Sequence, residues 1–366
     1  MIDQRVLITT DVVGGVWDFS LLLASQLRAR HAAQVTLLAL GEPHSRHIAA
    51  ADEACVHLLH TPVKLEWMQD SEGDVAHSGA VLAEVAHAVR ADVVHANQFA
   101  AACATLHLPV VLTLHSDVLS WSRWTVGRPA DPRAWGAYAR LVEKGLRRAQ
   151  AVVSVSHFLA REVADLYRVD RAIDVIHNGW PANDSAAPPP GSPITLLAGR
   201  LWDSAKNADL AARAARGWDP GEVFLAGETE HPETGARTEV AMPLQLLGFL
   251  SSDELSSWLR RAAIYLSPAR YDPFGLLPLQ AALNGCALLL SDIPSYRELW
   301  DGAACFFRSD DAQDLRHKWR RLVEDADLRA DLWRRAARRA RSTYTPARMA
   351  DQYVQVYTRV QQAVAA

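Results

Sequence analysis

The amino-acid sequence predicts an α/β chain built from two doubly wound parallel sheets. Three observations carry that expectation. Short β-branched apolar runs alternate with helical stretches from Arg5 to His177 and again from Ile194 to Phe307, the alternation that builds βαβ units. Several runs, such as Val110-Val111-Leu112-Thr113-Leu114 and Ala151-Val152-Val153-Ser154-Val155, are apolar on both faces, as strands covered by helices on each side must be. Between the two blocks, Asn178–Pro193 carries five prolines in 16 residues and no periodicity, which marks a linker. A chain of 366 residues, at roughly 150 residues per domain, fits two domains.

In the first half the expected strands are Arg5–Thr10, Gln34–Leu40, Asp92–Ala96, Val110–His115, Ala151–Ser156 and Asp174–His177, with helices Val16–Arg30, Asp74–Arg90 and Arg133–Ala149 between them. In the second half they are Ile194–Gly199, Glu222–Ala226, Leu244–Phe249, Ala263–Ser267, Ala287–Ser291 and Ala304–Phe307, with helices Ala205–Arg216, Ser252–Arg261 and Leu276–Leu283. From Asp311 to Ala366 the pattern is helical throughout, with Pro346 as a break and new helix start. The last helix, Ala347–Ala363, carries Met349, Tyr353, Val356, Val360 and Ala363 at helical spacing, a core-facing stripe.

Composition excludes several classes. Hydrophobic residues at 49% and charged residues at 22% rule out wholesale disorder. A net charge of −4, from 38 basic and 42 acidic residues, does not suit a general polyanion binder, so no nucleic acid partner is expected. Cys55, Cys103, Cys286 and Cys305 show neither a CxxC nor a zinc spacing and are too sparse for a disulfide framework. Met1-Ile2-Asp3-Gln4-Arg5 does not read as a signal peptide. The most apolar long window, Phe99–Leu114, is 16 residues with His107 and Pro109 inside it, too short for a membrane span. It reads as a short helix, a proline break and a buried strand. A cytoplasmic protein is therefore expected.

Open α/β sheets bind ligands at the carboxyl ends of their strands, so the residues after each strand matter most. Gly14-Gly15 follows the first strand; the pair either serves a tight turn or lets backbone N–H groups approach a phosphate or sugar. No GxGxxG occurs anywhere, which argues against a nicotinamide site. His115, followed by Ser116 and Asp117, ends another strand and can hydrogen-bond a hydroxyl or serve structure alone. Gly199-Arg200-Leu201, with Lys206 six residues after Arg200, places two cations where a diphosphate leaving group could be neutralised. The most specific stretch is Ser267-Pro268-Ala269-Arg270-Tyr271-Asp272-Pro273-Phe274-Gly275-Leu276-Leu277-Pro278-Leu279-Gln280. It follows a strand, turns at Pro273-Phe274-Gly275 and opens a helix, so Gly275, Leu276 and Leu277 would present free N–H groups. Asp272 and Gln280 can line one pocket there. No DxD-like metal site is visible, and the HxxH pairs His44/His47 and His57/His60 read as surface positions.

These residues resemble the family 4 retaining glycosyltransferases of the GT-B fold, whose signature is Glu, seven residues, Glu, with Pro-Phe-Gly-Leu after the first Glu. The register is kept, with Asp272 in place of the first Glu and Gln280 in place of the second. Val175-Ile176-His177-Asn178-Gly179, Phe224-Leu225-Ala226-Gly227, Leu247-Gly248-Phe249 and Ser291-Asp292-Ile293-Pro294-Ser295 match in order as well. The resemblance implies an acceptor domain over 1–178, completed by the returning helix 347–366, a donor domain over 179–346, and a cleft between them. It implies a nucleotide-diphosphate sugar as co-substrate, a hydroxyl acceptor and no metal or other cofactor. Arg200 and Lys206 would hold the diphosphate and stabilise its departure. Gly275, Leu276 and Leu277, after Phe274, would offer amides to the diphosphate and sugar. Asp272 would contact sugar hydroxyls, Gln280 the ribose, and His115 the sugar. Gly14 and Gly15 would lie by the phosphates, and Phe249–Leu250 by the base, UDP and GDP both fitting. Retention would follow front-face attack, with the departing phosphate taking the acceptor's proton.

The departures have physical content. An amide offers one acceptor and one donor to a diol where a carboxylate accepts twice, and neutral bonds are about half as strong as charged ones. Aspartate reaches about 1.3–1.5 Å less far than glutamate. A weakened nucleotide-sugar-binding or regulatory relative is the alternative; an epimerase or phosphorylase of the same fold suits the Pro-Phe-Gly-Leu turn less well. On the acceptor side, Trp121, Trp124 and Trp135 follow His115 and can stack on sugar rings or fill the core. From Arg316 to Arg341 there are ten Lys or Arg and four Asp or Glu, a net of +6. That stretch is either a solvated helical face or a weak peripheral contact with the inner face of an anionic membrane.

Overall fold

The computed structural model describes residues 4–182, 193–239 and 244–365. Most of the proline-rich stretch Asn178–Pro193 lies outside the described residues. The chain forms two compact units. One comprises the chain up to Arg123, Arg128–Gly179 and Pro346 onward; the other comprises Trp180–Thr345, with Trp124–Gly127 grouped to it.

The first unit holds β1 (Arg5–Asp11), β2 (Gln34–Leu40), β3 (His57–Thr61), β4 (Val93–Ala96), β5 (Val110–Leu114), β6 (Ala151–Ser154) and β7 (Asp174–Val175). The second holds β8 (Thr195–Ala198), β9 (Val223–Ala226), β10 (Gln245–Gly248), β11 (Ile264–Ser267), β12 (Ala287–Ser291) and β13 (Cys305–Phe307). The sheet orders are β3-β2-β1-β4-β5-β6-β7 and β10-β9-β8-β11-β12-β13, every pairing parallel. In each sheet the winding reverses once, between β1 and β4 and between β8 and β11. The carboxyl ends of those strands flank the crevice where doubly wound sheets take ligands.

The central strands are buried along their length, as two-sided apolar runs require: Val110–Leu114, Ala151–Ser154 and Ala287–Ser291 have no exposed member. β3 was not expected from the sequence. It is an edge strand with a histidine at either end of its apolar pair, and His57 and His60 are both exposed, so neither alternation nor a long apolar run marks it. β5, β6 and β7 stop one or two residues earlier than the apolar pattern suggests. The helical tail also differs. It breaks at Asp325, whose carboxylate accepts from the Leu328 amide at 2.8 Å, separating Ala312–Glu324 from Ala326–Thr343. An aspartate N-cap stops one helix and starts the next without a proline.

Several arginines of the +6 stretch satisfy carbonyls of their own unit. Arg316 Nε donates to Ala214 O at 2.7 Å. Arg329 Nη1 donates to Leu322 O at 2.6 Å and Val323 O at 2.9 Å, and Arg339 Nη1 to Leu299 O at 2.9 Å. No described helix is long and apolar enough to cross a membrane.

The last helix, Pro346–Ala365, returns to the first unit, where Met349, Ala350, Tyr353, Val356, Tyr357 and Val360 enter the core around Phe19, Leu23, Val93 and Val111. Ala363 leaves that stripe: it and Val364 are exposed, because the helix runs past the buried surface after Val360. Burying side chains of this size contributes about 1.5–3 kcal/mol each. A buried polar chain adds direction. His95 Nδ1 meets Tyr357 Oη at 2.6 Å, His95 Nε2 meets Thr113 Oγ1 at 2.8 Å, and Thr113 Oγ1 meets Tyr353 Oη at 3.1 Å. Burial pushes the His95 imidazole down to about 3, so it stays neutral with one ring nitrogen donating and the other accepting. Tyr357→Phe leaves His95 Nδ1 buried without its partner. The expected loss is about 1–3 kcal/mol of unfolding free energy in urea, with the secondary-structure signal unchanged.

Candidate functional site

In the second unit, β8 ends at Ala198 and the chain turns through Gly199, whose φ of 150° brings it against β9's own exit. A Cβ on Gly227 would stand 1.8 Å from Gly199 O, so only glycine lets the two turns pass. The expected single helix Ala205–Arg216 is divided. Ser204–Lys206 forms a 3₁₀ turn, Asn207 takes φ 53°, and the helix proper is Ala208–Ala215. The Asn207 side chain explains the interruption: its Nδ2 donates to Pro268 O and to Asp310 Oδ1, both at 3.1 Å. Asp203 holds the other side, accepting from the Ala205 amide at 3.0 Å. Lys206 therefore projects from a pinned turn.

It projects onto the exit of β11. Lys206 Nζ lies 3.0 Å from Asp272 Oδ2, with the two side chains 20% and 16% exposed. Arg200 Nη2 lies 2.9 Å from Asp203 Oδ2, and its guanidinium covers the Trp202 ring. Both cations expected from the sequence are thus paired with carboxylates of their own unit. Three residues after Asp272, Gly275 caps the helix Leu276–Leu283 with φ 81°. The helix's first two residues, Leu276 and Leu277, have no helical partner for their amides, while Pro278 has no amide at all. Phe274 is buried edge-on to Tyr344. Gln280 is 7% exposed, and its side-chain amide makes no hydrogen bond among the described residues. Phe249, after β10, is 49% exposed with Leu250 beside it.

In the first unit, Gly14 is the N-cap of helix Gly15–His31 with φ 102°, and both glycines are exposed. His115 leaves β5 and packs against Phe19 at 4.6 Å between ring centroids. Its tautomer follows from its neighbour. Asn97 Nδ2 donates to Thr9 O at 2.8 Å and to Ser20 Oγ at 3.1 Å, so Asn97 Oδ1 faces His115 Nε2 at 2.8 Å as an acceptor. Nε2 carries the proton, and Nδ1 keeps a lone pair. Burial pushes the imidazole down to about 3, so His115 is a neutral hydrogen-bonding group. Asp117 caps the helix Val118–Trp121 and accepts from Tyr167 Oη at 2.9 Å.

The three tryptophans sit on three different elements. Trp121 ends the helix Val118–Trp121, Trp124 lies on the π-helical turn Ser122–Val126, and Trp135 sets its ring against buried Tyr138 at 5.9 Å. Each is partly buried.

Sequence reasoning did not find Asn97, Glu66 or Tyr296, and it named Ser295 only within a matching stretch. Asn97 follows β4 and could have been found by its position after a strand. Glu66 sits in a loop without pattern. Its oxygens accept from Phe99 N at 2.9 Å and Ala100 N at 2.6 Å, and burial pushes its carboxyl up to about 7. Among the described residues no three His, Cys, Asp or Glu side chains gather as a metal site would need.

The His115 tautomer is testable. Asn97→Asp replaces a neutral acceptor with a carboxylate, which favours the imidazolium. The His115 ring should then titrate well above 3 in an NMR pH series, by at least about two units.

Comparison with known proteins shows the family. Two family models match in tandem: Glycosyltransferase Family 4 over residues 13–183 and Glycosyl transferases group 1 over 192–325. The chain is 29% identical over 294 residues to the glycogen synthase of Mycobacterium tuberculosis, covering 73% of this chain and 69% of that one. Among solved structures, the sucrose-phosphate synthase of Thermosynechococcus elongatus superposes with TM-score 0.80 at 15% identity, over 98% of this chain and 100% of the other. Anabaena HepE in complex with UDP-glucose superposes with TM-score 0.76 at 17% identity, over 97% and 99%. These neighbours share the two-sheet GT-B fold. The tandem matches and the fold together make the chain a member of the family 4, group 1 glycosyltransferases.

Proposed function

We propose that this glycosyltransferase takes its sugar from a nucleoside-diphosphate donor and passes it, with retention of anomeric configuration and without a metal, to a hydroxyl of a glycan, glycolipid or small molecule. The observation that carries the reading is Lys206 Nζ at 3.0 Å from Asp272, three residues before Gly275, the cap of helix Leu276–Leu283. A diphosphate arriving there draws the ammonium off Asp272 and meets the Arg200 guanidinium and the Leu276 and Leu277 amides as well.

As the bond from the anomeric carbon to the diphosphate oxygen breaks, negative charge grows on the leaving phosphate, and these donors stabilise it. The acceptor oxygen attacks from the same face and hands its proton to the departing phosphate oxygen, so no protein base is needed. Gln280 offers its unengaged amide to the ribose, and Phe249 with Leu250 borders the base. In the first unit His115 Nδ1 accepts from a sugar hydroxyl, and the Gly14-Gly15 turn leaves amides open to an oxyanion.

A second reading has its own observation. Asp272 Oδ2 is already engaged by Lys206 and by a tyrosine, and Gln280 is neutral, so the site can bind a donor without turning it over. Calorimetry with UDP, GDP, UDP-glucose and GDP-mannose separates the cases, followed by NMR of the anomeric proton of any product in buffer with EDTA. The expected result is micromolar to millimolar binding of one nucleotide series and an axial-to-axial or equatorial-to-equatorial transfer that survives chelation. Binding without transfer supports the second reading, and an inverted product contradicts the first.

A further inference from the structure

Asp272 is held from an unexpected side. After β12 the chain enters the helix Pro294–Trp300, whose second and third residues reach back to it. Ser295 Oγ donates to the Asp272 carbonyl at 2.6 Å. Tyr296 Oη donates to Asp272 Oδ2 at 3.0 Å, the same oxygen that Lys206 Nζ contacts at 3.0 Å. The Tyr296 hydroxyl has one proton and gives it to Asp272, so Ser267 Oγ, 2.8 Å away, must donate to the tyrosine oxygen. Tyr296 is wholly buried. Burial and the Asp272 charge push its phenol well above its ordinary range, so it remains a donor. Its ring also supports the anion turn: a Cβ on Gly275 would lie 2.9 Å from Tyr296 Cε1.

From this chain of contacts we infer that Tyr296 is a positioning residue of the donor site, acting through Asp272 to fix the ammonium of Lys206. The inference rests on the reading of Lys206 as the cation that meets the departing diphosphate. Two bonds fall on Asp272 Oδ2, and Oδ1 of the same carboxylate makes no hydrogen bond among the described residues. Asp272 is therefore a brace that offers one acceptor to the sugar, where a free carboxylate would offer two. When a phosphate draws Lys206 away, Tyr296 and Ser295 keep the Asp272 carboxylate in place, so the lysine moves along one line. A lysine on a flexible four-carbon stem loses much of its value as a charge stabiliser if it is not so guided.

The test uses Tyr296→Phe in the full chain, which keeps the ring beneath Gly275 and removes only the hydroxyl. Two readouts are taken. The first needs no donor. The Lys206 ammonium, assigned by its loss in Lys206→Gln, is observed by NMR of the side-chain NH₃⁺ groups. A slowly exchanging wild-type signal that broadens in the variant is expected, and a signal unchanged by the variant overturns the inference. The second uses UDP-glucose as probe. A fall in kcat of about tenfold with donor KM within twofold is expected, with Ser267→Ala giving a smaller fall of the same kind. A loss of melting temperature with kcat intact means a merely structural tyrosine and also overturns it. Failure of the wild type to bind any nucleotide sugar overturns the donor-site reading, and the ammonium signal still decides whether Tyr296 holds Lys206.

Discussion

The ion pair between Lys206 and Asp272 is the interaction on which the second unit's ligand-facing edge depends. It joins the exit of β8 to the exit of β11, the two strands between which the sheet's winding reverses. Everything around it holds those two turns in register. Asn207 ties the lysine's turn to Pro268, and the Arg270 amide donates to Ala205 O at 2.8 Å. A half-buried ion pair is a poor source of stability, because desolvating both charges offsets most of their attraction. On the proposed function its value is as a poised charge. A phosphate can replace the carboxylate partner without the lysine passing through a bare, desolvated state. Arg200 with Asp203 repeats the arrangement, with the more exposed cation on the more buried carboxylate.

The first unit has the same winding and a different electrostatic character. Where β4 and β5 end, the groups are an asparagine amide and an imidazole kept neutral by burial. Such groups recognise hydroxyls without attracting a charged ligand. Beneath them the His95–Thr113 pair connects to two tyrosines of the returning helix. The orientation of the strand ends thus rests partly on the last twenty residues of the chain. On the proposed function, the exits of β4 and β5 offer directional neutral hydrogen bonds to an uncharged hydroxyl, and the second unit offers cations and amides to a diphosphate leaving group.

Much of this was legible in the sequence, for identifiable reasons. Two-sided apolar runs rich in β-branched residues fit covered parallel strands, and Gln34–Leu40, Ala287–Ser291 and the helices Ser252–Arg261 and Leu276–Leu283 carry the expected bounds. Pro346 begins a helix because its fixed φ and missing N–H suit that position. What the sequence hid was set by contacts distant along the chain. Nothing local says that Asn207 will interrupt a helix; Pro268 and Asp310 do that. The strand His57–Thr61 exists because β2 offers it an edge. Asp272 looked like a shortened sugar ligand, and only the fold shows Tyr296 reaching it across 24 positions. The Glu66 carboxylate had no signal at all.

A structure of the protein with a bound nucleoside diphosphate tests the central claim most directly, read as one distance. Lys206 Nζ should leave Asp272 and stand about 3 Å from an oxygen of the terminal phosphate, with the Tyr296 to Asp272 bond retained. A diphosphate bound elsewhere, with Lys206 still on Asp272, would contradict the account.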